Sequence, residues 1–236
     1  MTDFDGTLVD FSDRPDEVLV PAELLETLDE LMNALNGAVA VISGRRYVDL
    51  HRFLGNKAGL MVGSHGAEWP LARGSEMPRL ICPPFPPDAL ASLHRQLGAR
   101  RHLNIEHKGA SLAIHHRLED IDAFELAQAV RRTMGAYPGW LVFAGHRVIE
   151  MRSTQVSKAT AAAQVLSLEP FARRMAICLG DDVADIDFFD AVASAGGVTV
   201  AVGPRVQPHA QYALSTPLAA RAWLRKLAGF LRPAPR

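Results

Sequence analysis

The sequence has few cysteines, almost no net charge and no long hydrophobic run. Its two cysteines, Cys82 and Cys178, match no metal-binding spacing. Two cysteines are also too few to indicate a disulfide framework. A net charge of -1 provides no basic field that would recruit nucleic acid or anionic lipid. No apolar run approaches the roughly 18 residues of a membrane-spanning helix, and no signal-peptide pattern is present. We therefore expect a cytosolic globular protein that binds neither nucleic acid nor membranes.

The first residues contain two aspartates, Asp3 and Asp5, followed by Gly6 and Thr7. In an extended segment alternate side chains share a face, so both carboxylates could act on one substrate. Gly6 accepts a positive φ and therefore permits a turn directly after them. One carboxylate could attack phosphorus while the other handles the proton of the leaving group. A chance acidic turn after a strand would have the same pattern.

Apolar runs and amphipathic helices alternate in the first and last parts of the chain. Residues 24–35 carry leucines at helical spacing, and residues 38–42 form a continuous apolar run typical of a strand buried on both faces. This alternation indicates a parallel sheet, in which ligands bind at the carboxyl ends of the strands. Asp3, Ser43 and Asp181 fall at such ends. The pattern predicts an α/β fold with a Rossmann-like parallel-sheet core.

The pattern changes between residues 74 and 151. The proline-rich stretch at 78–87 indicates a linker, and beyond it a helix followed by two paired strands occurs twice. The predicted elements are a helix at 88–99, strands at 103–107 and 110–116, a helix at 121–134, and strands at 140–144 and 147–151. We expect 74–151 to be a smaller α+β domain, inserted into a core made of 1–73 and 152–236.

Four stretches, in chain order, resemble the motifs of the haloacid-dehalogenase superfamily of aspartate-nucleophile phosphatases. They are residues 3–7, residues 42–45, Lys158 at a helix start, and residues 180–185. Within this superfamily the chain is similar to the trehalose-6-phosphate phosphatase family, through residues 63–68, 106–108 and 145–152. The resemblance implies a cap domain inserted between the second and third motifs. It also implies hydrolysis of a sugar phosphate, with trehalose 6-phosphate as the expected substrate.

The resemblance implies roles for four residues of the core. Asp3 would attack phosphorus and become an aspartyl phosphate, while Asp5 would protonate the departing sugar oxygen and later activate water. Ser43 would donate its hydroxyl to a phosphoryl oxygen, and Lys158 would neutralise Asp3 and the transferred group. Each of the last two also has an ordinary structural explanation, because serine is a common helix N-cap and a lysine at a helix start is usually exposed.

A metal ion is expected beside these carboxylates, because they would otherwise repel the phosphoryl group. A hard dication with oxygen ligands and retained waters suggests Mg²⁺. The resemblance assigns its ligands to the Asp3 carboxylate, the Asp5 backbone carbonyl and Asp181, while Asp185 would hold ligand waters or Lys158. Acidic residues at a helix start would also arise simply because they complement the helix dipole.

Substrate specificity is expected from the cap, because a core that handles only phosphate cannot recognise a sugar. The resemblance assigns sugar contacts to Glu106, Lys108 and Glu150, whose charges suit hydroxyl groups. Arg45 and His65 face the same cleft by motif position and would contact the leaving group. Cross-strand ion pairing on an exposed sheet would explain the glutamates and the lysine as well.

Other functions share the same motifs. A related capped phosphatase acting on sucrose 6-phosphate or mannosyl-3-phosphoglycerate, or a phosphohexomutase, would use the same two aspartates. A non-catalytic module, such as a regulatory partner of a sugar-phosphate synthase, usually loses acidic motif residues, which this chain retains. If the chain is an active enzyme, a functional association with a sugar-phosphate synthase is the protein interaction that we expect.

The first strand is short for its expected place at the centre of the sheet. A nucleophile at the carboxyl end of that strand needs about four or five apolar residues before it, yet only Met1 and Thr2 precede Asp3. Burial of one apolar side chain contributes about 1.5–3 kcal/mol. We therefore expect the native protein to begin upstream of Met1.

Overall fold

The structure of the protein, a computed structural model, describes residues 1–12, 14–72, 74–97, 103–116, 123–145 and 148–232. The α-helices of these residues are α1 (Ala22–Ala34), α2 (Tyr47–Leu54), α3 (Pro87–Leu97), α4 (Ala123–Met134), α5 (Lys158–Ser167), α6 (Ile186–Ser194) and α7 (Pro217–Leu231). The strands are β1 (Ala40–Ile42), β2 (Leu60–Val62), β3 (Glu68–Pro70), β4 (Pro78–Leu80), β5 (Asn104–His107), β6 (Ser111–His115), β7 (Trp140–Gly145), β8 (Val148–Ser153), β9 (Ile177–Gly180), β10 (Val198–Val202) and β11 (Tyr212–Leu214). Within the described ranges, no helix has both the length and the apolar character needed to cross a membrane.

The chain divides into two compact units. The core unit comprises Met1–Arg79 and Ser157–Arg236, and the insert unit comprises Leu80–Val156. These limits fall a few residues after the expected insert at 74–151. Residue 73, the predicted last residue of the first core segment, lies outside the described residues.

A parallel sheet lies at the centre of the core unit. β1 pairs with β2, and β9, β10 and β11 pair in that order. Thr2 joins the two groups, because it forms parallel bridges to Val41 and to Leu179. Its N–H donates to the carbonyl of Ala40, and its own carbonyl accepts the N–H of Ile42, both at 2.9 Å. The first strand is thus reduced to one bridging residue in the central position.

Helices cover both faces of this sheet. Val41 belongs to a buried cluster with α1, α2 and α7, which includes Leu24, Leu28, Leu31, Tyr47, Leu50, Leu54, Leu224 and Ala228. Ala40 and Ile42 belong to a second cluster with α5 and α6, which includes Ala161, Ala162, Val165, Phe188, Phe189 and Val192. Successive residues of β1 therefore point to opposite buried faces, as expected for a continuous apolar strand. The predicted α/β class with a parallel sheet is confirmed.

The insert unit contains an antiparallel sheet with the strand order β5-β6-β8-β7. Its buried cluster comes from α3, α4 and alternate residues of the strands, including Leu93, Leu112, Ile114, Leu126, Val130, Ile149 and Met151. The predicted order, in which a helix precedes a strand pair twice, is confirmed. The predicted element limits at Ala99, Ile121 and Arg147 lie outside the described residues.

Two short strands differ from the sequence-based expectation. The predicted linker at 78–87 begins with β4, which pairs with β3 at the margin of the core unit. Proline lacks an N–H but is tolerated on an edge strand, so the proline-rich stretch does not prevent this pairing. The second is β11, which lies beside β10 at the end of its strand group. Three residues on a sheet edge are too few for a periodic hydrophobic signal.

Candidate active site

Three of the predicted residues lie at the carboxyl edge of the parallel sheet. Asp3 follows the bridging residue Thr2, Ser43 follows β1, and Asp181 follows β9. The side chains of all three are buried. Because parallel strands end at one edge, side chains distant in the sequence meet there.

The chain turns immediately after Asp5. Gly6 has a φ of 72°, and a Cβ at this position would lie 2.2 Å from Asp181 Oδ2. Only glycine therefore allows the turn to approach Asp181 so closely. Thr7 is fully buried and donates its hydroxyl to Asp181 Oδ1 at 2.8 Å. Thr7 was not among the predicted site residues, although it directly follows the glycine of the turn.

Lys158 lies between two buried carboxylates. Ser157 accepts the N–H of Thr160 at 3.1 Å and so caps α5, which makes Lys158 the first residue of the helix. The Lys158 ammonium lies 2.8 Å from Asp3 Oδ1 and donates to Asp185 Oδ1 at 2.6 Å. Burial acts to lower the pKa of Lys158, but the carboxylates of Asp185 and Asp3 outweigh it and raise that pKa overall. Lys158 therefore stays protonated.

Asp3, Asp181 and Asp185 form a compact acidic cluster. One carboxylate oxygen from each lies within 4.8 Å of those of the other two. Burial raises the pKa of Asp181 to about 7, against the effect of the Thr7 hydroxyl and with a further increase from Asp185. Burial also raises the pKa of Asp3, although Lys158 opposes it. A dication would stabilise the ionised carboxylates, and an all-oxygen donor set suits a hard cation. The cluster thus fits a divalent metal ion.

Asp185 lies on a 3₁₀ turn (Val183–Asp185) that directly precedes α6. Its Oδ2 accepts the backbone N–H groups of Asp181 and Asp182, each at 3.0 Å, while its Oδ1 binds Lys158. Of the two roles expected for Asp185, the structure shows the contact with Lys158. Asp182 is half-buried, and its carboxylate accepts a hydrogen bond from Arg205 at 2.8 Å.

Asp5 and Arg45 form a bidentate ion pair. Arg45 donates from Nε to Asp5 Oδ2 at 2.6 Å and from Nη2 to Oδ1 at 2.7 Å. The guanidinium also lies over the rings of Phe4 and Phe53, 5.5 Å and 5.1 Å from their centroids. Arg45 is therefore held beside the acidic cluster by the residue expected to act as the acid, a contact that the sequence does not predict.

Ser43 and His65 meet in a tight pair of turns. The Ser43 hydroxyl oxygen accepts the N–H of Arg45 at 3.2 Å, and the Ser43 carbonyl accepts the N–H of His65 at 2.9 Å. The His65 ring packs where a Cβ on Gly44 would stand, only 2.5 Å from its Nε2. His65 as a whole is buried, with 8% of its surface exposed.

Glu106, Lys108 and Glu150 belong to the insert unit. Glu106 on β5 pairs with Ala113 on β6, which pairs with Glu150 on β8. The two glutamates thus flank one alanine, two strand spacings or about 10 Å apart. Glu106 Oε2 lies 2.9 Å from Nε2 of His115, which is not among the predicted residues, and 3.8 Å from Lys108 Nζ. The hydrogen bond with His115 lowers the pKa of Glu106, which favours an ionised acceptor.

Comparison with known proteins shows similarity along nearly the whole chain. The family model described as trehalose-phosphatase matches residues 1–217. The chain is 34% identical over 213 residues to a probable trehalose-phosphate phosphatase of Sinorhizobium fredii, covering 86% of this chain and 77% of the relative. It is 31% identical over 201 residues to a trehalose-6-phosphate phosphatase of Escherichia coli, covering 85% and 76%.

A solved structure supports the fold. The C-terminal domain of the trehalose-6-phosphate phosphatase of C. albicans superposes with a TM-score of 0.81 and 24% sequence identity. The superposition covers 97% of this chain and 90% of that domain. At this identity the likeness concerns the fold alone.

Proposed function

The chain belongs to the trehalose-phosphatase family and is a phosphatase, and from that premise we propose that it hydrolyses trehalose 6-phosphate to trehalose and phosphate. The substrate follows from the names of the relatives, which are described as phosphatases of trehalose phosphate. The proposed reaction passes through an aspartyl phosphate on Asp3. The alternative reactions, hydrolysis of sucrose 6-phosphate or of mannosyl-3-phosphoglycerate, would use the same residues of the core unit.

The observation that carries this proposal is the ion-paired group formed by Asp3, Lys158 and Asp185. Lys158 is 3% exposed and binds both carboxylates, so a positive charge stands beside the one carboxylate placed to attack. Phosphate esters react through charge stabilisation and in-line positioning more than through covalent chemistry by the protein. A buried, fixed ammonium provides this stabilisation without rearrangement during the reaction.

In the proposed first step an Asp3 oxygen forms a bond to phosphorus while the bond from phosphorus to the sugar oxygen breaks. Asp5, which takes up a proton from solvent once Arg45 has left it, gives that proton to the departing oxygen and then accepts one from the water that hydrolyses the aspartyl phosphate. Both Asp5 oxygens are engaged by Arg45. We infer that Arg45 moves from Asp5 to the phosphate when substrate binds, which frees Asp5 for proton transfer.

Asp3, Asp181 and the Asp5 carbonyl would hold a Mg²⁺ ion, with Asp185 fixing their surroundings. The ion would supply charge neutralisation at the phosphoryl oxygens. Thr7 orients Asp181 for this role through the hydrogen bond to its Oδ1. The pKa of Asp181 is raised because the residue is buried near other carboxylates. Such an environment would favour the binding of a dication.

The insert unit would recognise the sugar. Glu106 and Glu150 offer acceptors on one face of its sheet, about two strand spacings apart. Lys108 adds a donor near Glu106. A disaccharide carries hydroxyl groups over a similar length, so charged groups spaced along a sheet suit it better than one compact pocket would. The cytosolic location and the association with a synthase stay predictions.

Phosphate release from a panel of sugar phosphates tests the proposal. Trehalose 6-phosphate, sucrose 6-phosphate, mannosyl-3-phosphoglycerate and a hexose monophosphate would be compared after EDTA treatment, with and without added Mg²⁺. We expect Mg²⁺-dependent release with the highest kcat/KM for trehalose 6-phosphate. Isomerised phosphosugar without free phosphate would indicate a mutase. No turnover of any ester would indicate a non-catalytic module.

Replacing Glu106 or Glu150 with alanine should lower kcat/KM for the sugar phosphate by one to a few orders of magnitude, since a site built to hydrogen-bond hydroxyl groups loses its partners. Hydrolysis of p-nitrophenyl phosphate should barely change, because an aryl ester has no sugar to bind. Asp88→Ala, on α3 of the same unit, is the control and should leave both rates unchanged. A parallel loss on both esters would make the glutamates structural.

A further inference from the structure

Two consecutive residues other than glycine have left-handed backbone conformations. Ser64 and His65 have φ values of 49° and 54°. A side chain in this region is strained, and such residues persist only where the surrounding structure holds them. Both residues are buried. The turn at 63–66 therefore depends on its contacts with neighbouring residues to keep this conformation.

The turn at 63–66 is bound to the turn at 43–45 through its backbone. The N–H of His65 donates to the Ser43 carbonyl at 2.9 Å, and the N–H of Ser64 donates to the Arg45 carbonyl at 2.7 Å. Neither turn has space for a further side chain at the contact. A Cβ on Gly44 would meet the His65 ring, and a Cβ on Gly63 would lie 2.4 Å from the backbone nitrogen of Tyr47.

Glu68 connects these turns to α2. The residue is 3% exposed, and its Oε2 accepts the N–H of Tyr47, the first residue of α2, at 2.5 Å. The N-cap residue Arg46 makes no side-chain cap of its own, so Glu68 takes that role from β3. The backbone of Glu68 pairs with Gly63 in both directions, at 2.8 Å and 3.1 Å. Burial raises the pKa of Glu68 overall, although the Tyr47 N–H, Arg46 and Ser64 oppose it.

We propose that Glu68 is a positioning residue for phosphoryl transfer. By holding the start of α2 and the turn at 63–66 together, it fixes the turn that carries the Ser43 hydroxyl and the Arg45 guanidinium. The inference rests on the proposed function to the extent that Ser43 and Arg45 contact the phosphoryl group. None of the hydrogen bonds described for Glu68 reaches Asp3 or Lys158, so its effect passes through the backbone of residues 43–47.

Two variants of Glu68 and one matched control test this role. Glu68→Ala removes the cap, whereas Glu68→Gln retains an oxygen that can accept the Tyr47 N–H. Thr216→Ala is the control, because Thr216 caps α7 by accepting the N–H of Ala219 at 3.2 Å and is absent from the proposed chemistry. Each variant is measured by kcat and KM for p-nitrophenyl phosphate, by inhibition with inorganic phosphate, and by amide hydrogen exchange.

Glu68→Ala should lower kcat for the aryl ester by about 10–100-fold, because small displacements of positioning groups have effects of this size. It should also weaken inhibition by inorganic phosphate and speed exchange in residues 43–50. Glu68→Gln should retain most of the wild-type activity. Thr216→Ala should lower the melting temperature and speed exchange at the start of α7 with kcat unchanged.

Equal kcat and equal exchange in wild type and Glu68→Ala would overturn the inference. A loss in Glu68→Gln as large as in Glu68→Ala would also overturn it, since the accepted hydrogen bond would then not hold the turn. The exchange measurement needs no substrate. If the wild-type protein released no phosphate from any ester, the proposed function would fail, and exchange in residues 43–50 would still decide whether Glu68 holds this turn.

Discussion

Replacement of Asp3 with asparagine is expected to abolish both phosphate release and formation of the phosphoenzyme. Asparagine has nearly the same shape but no anionic oxygen with which to attack phosphorus. Asp3 is 5% exposed and lies 2.8 Å from Lys158, so a buried ammonium stands beside the carboxylate that is proposed to attack. Acid-quenched protein incubated with substrate, examined by intact mass, would report the phosphoenzyme directly.

Asp5→Asn is the matched variant, because it removes the second carboxylate of the same turn. It should still form a phosphoenzyme from p-nitrophenyl phosphate, whose leaving group departs without a proton. General acid–base help is worth about 10²–10⁴-fold, and the loss on the sugar ester should be of that order and larger than the loss on the aryl ester. A phosphoenzyme in Asp3→Asn, or equal losses on both esters in Asp5→Asn, would contradict these roles.

The sheet and its helices could be predicted because their hydrophobic patterns are long and regular. The apolar run that contains β1 and the leucines of α1 identify a strand buried on both faces and the helix that packs on it. The carboxyl edge of a parallel sheet then places Asp3, Ser43 and Asp181 together without further information. The short edge strands β4 and β11 carry no such pattern, because three residues cannot establish a period.

The contacts within the site were less predictable than its membership. Two expected residues are paired in a way that only tertiary structure shows, since Arg45 and Asp5 are 40 residues apart in the chain. Glu68 lies in a motif that resembles the family, yet its link to Tyr47 depends on how β3 approaches α2. Left-handed residues such as Ser64 and His65 have no sequence signal of their own when glycine is absent from those positions.

In the insert unit, too, the order of the elements was predictable from the sequence and the contacts between side chains were not. The repeated order of a helix followed by two strands could be predicted from the sequence and is present in the structure. The partner of Glu106 is His115, and their contact follows from the register that pairs Asn104 with His115. Registers of short antiparallel strands are set by packing and by turns, so this contact becomes visible only in the folded protein.

Lys158→Met should decrease kcat by about 10²–10³-fold or more, the range found when one fixed electrostatic donor is removed. Methionine keeps much of the length of the side chain while removing the charge. Without the ammonium, Asp3 and Asp185 would lose the positive charge that lies between them in this buried site. The loss should affect aryl and sugar esters alike, because the proposed role of Lys158 is to stabilise the phosphoryl group that both esters share.

The same substitution should reduce stability. Removal of one partner from a buried ion pair destabilises a protein by about 3–5 kcal/mol. The loss should fall at the lower end, because burial already raises the pKa of Asp3 and favours its protonation once the cation is gone. For a chain of this size the melting temperature should fall by roughly 6–12 °C.

Lys57→Met separates the buried cation from an ordinary ion pair. Lys57 lies 2.9 Å from Asp29, a distance close to that between Lys158 and Asp3, but both side chains are 48% exposed. An exposed pair contributes about 0–1 kcal/mol, so Lys57→Met should leave kcat unchanged and shift the melting temperature little. A Lys158→Met protein with reduced stability but wild-type kcat would show that Lys158 only holds the fold. If Lys158→Met lowers both kcat and the melting temperature while Lys57→Met lowers neither, the buried charge is required for the reaction. The comparison is informative because the two ion pairs have similar distances and differ in exposure.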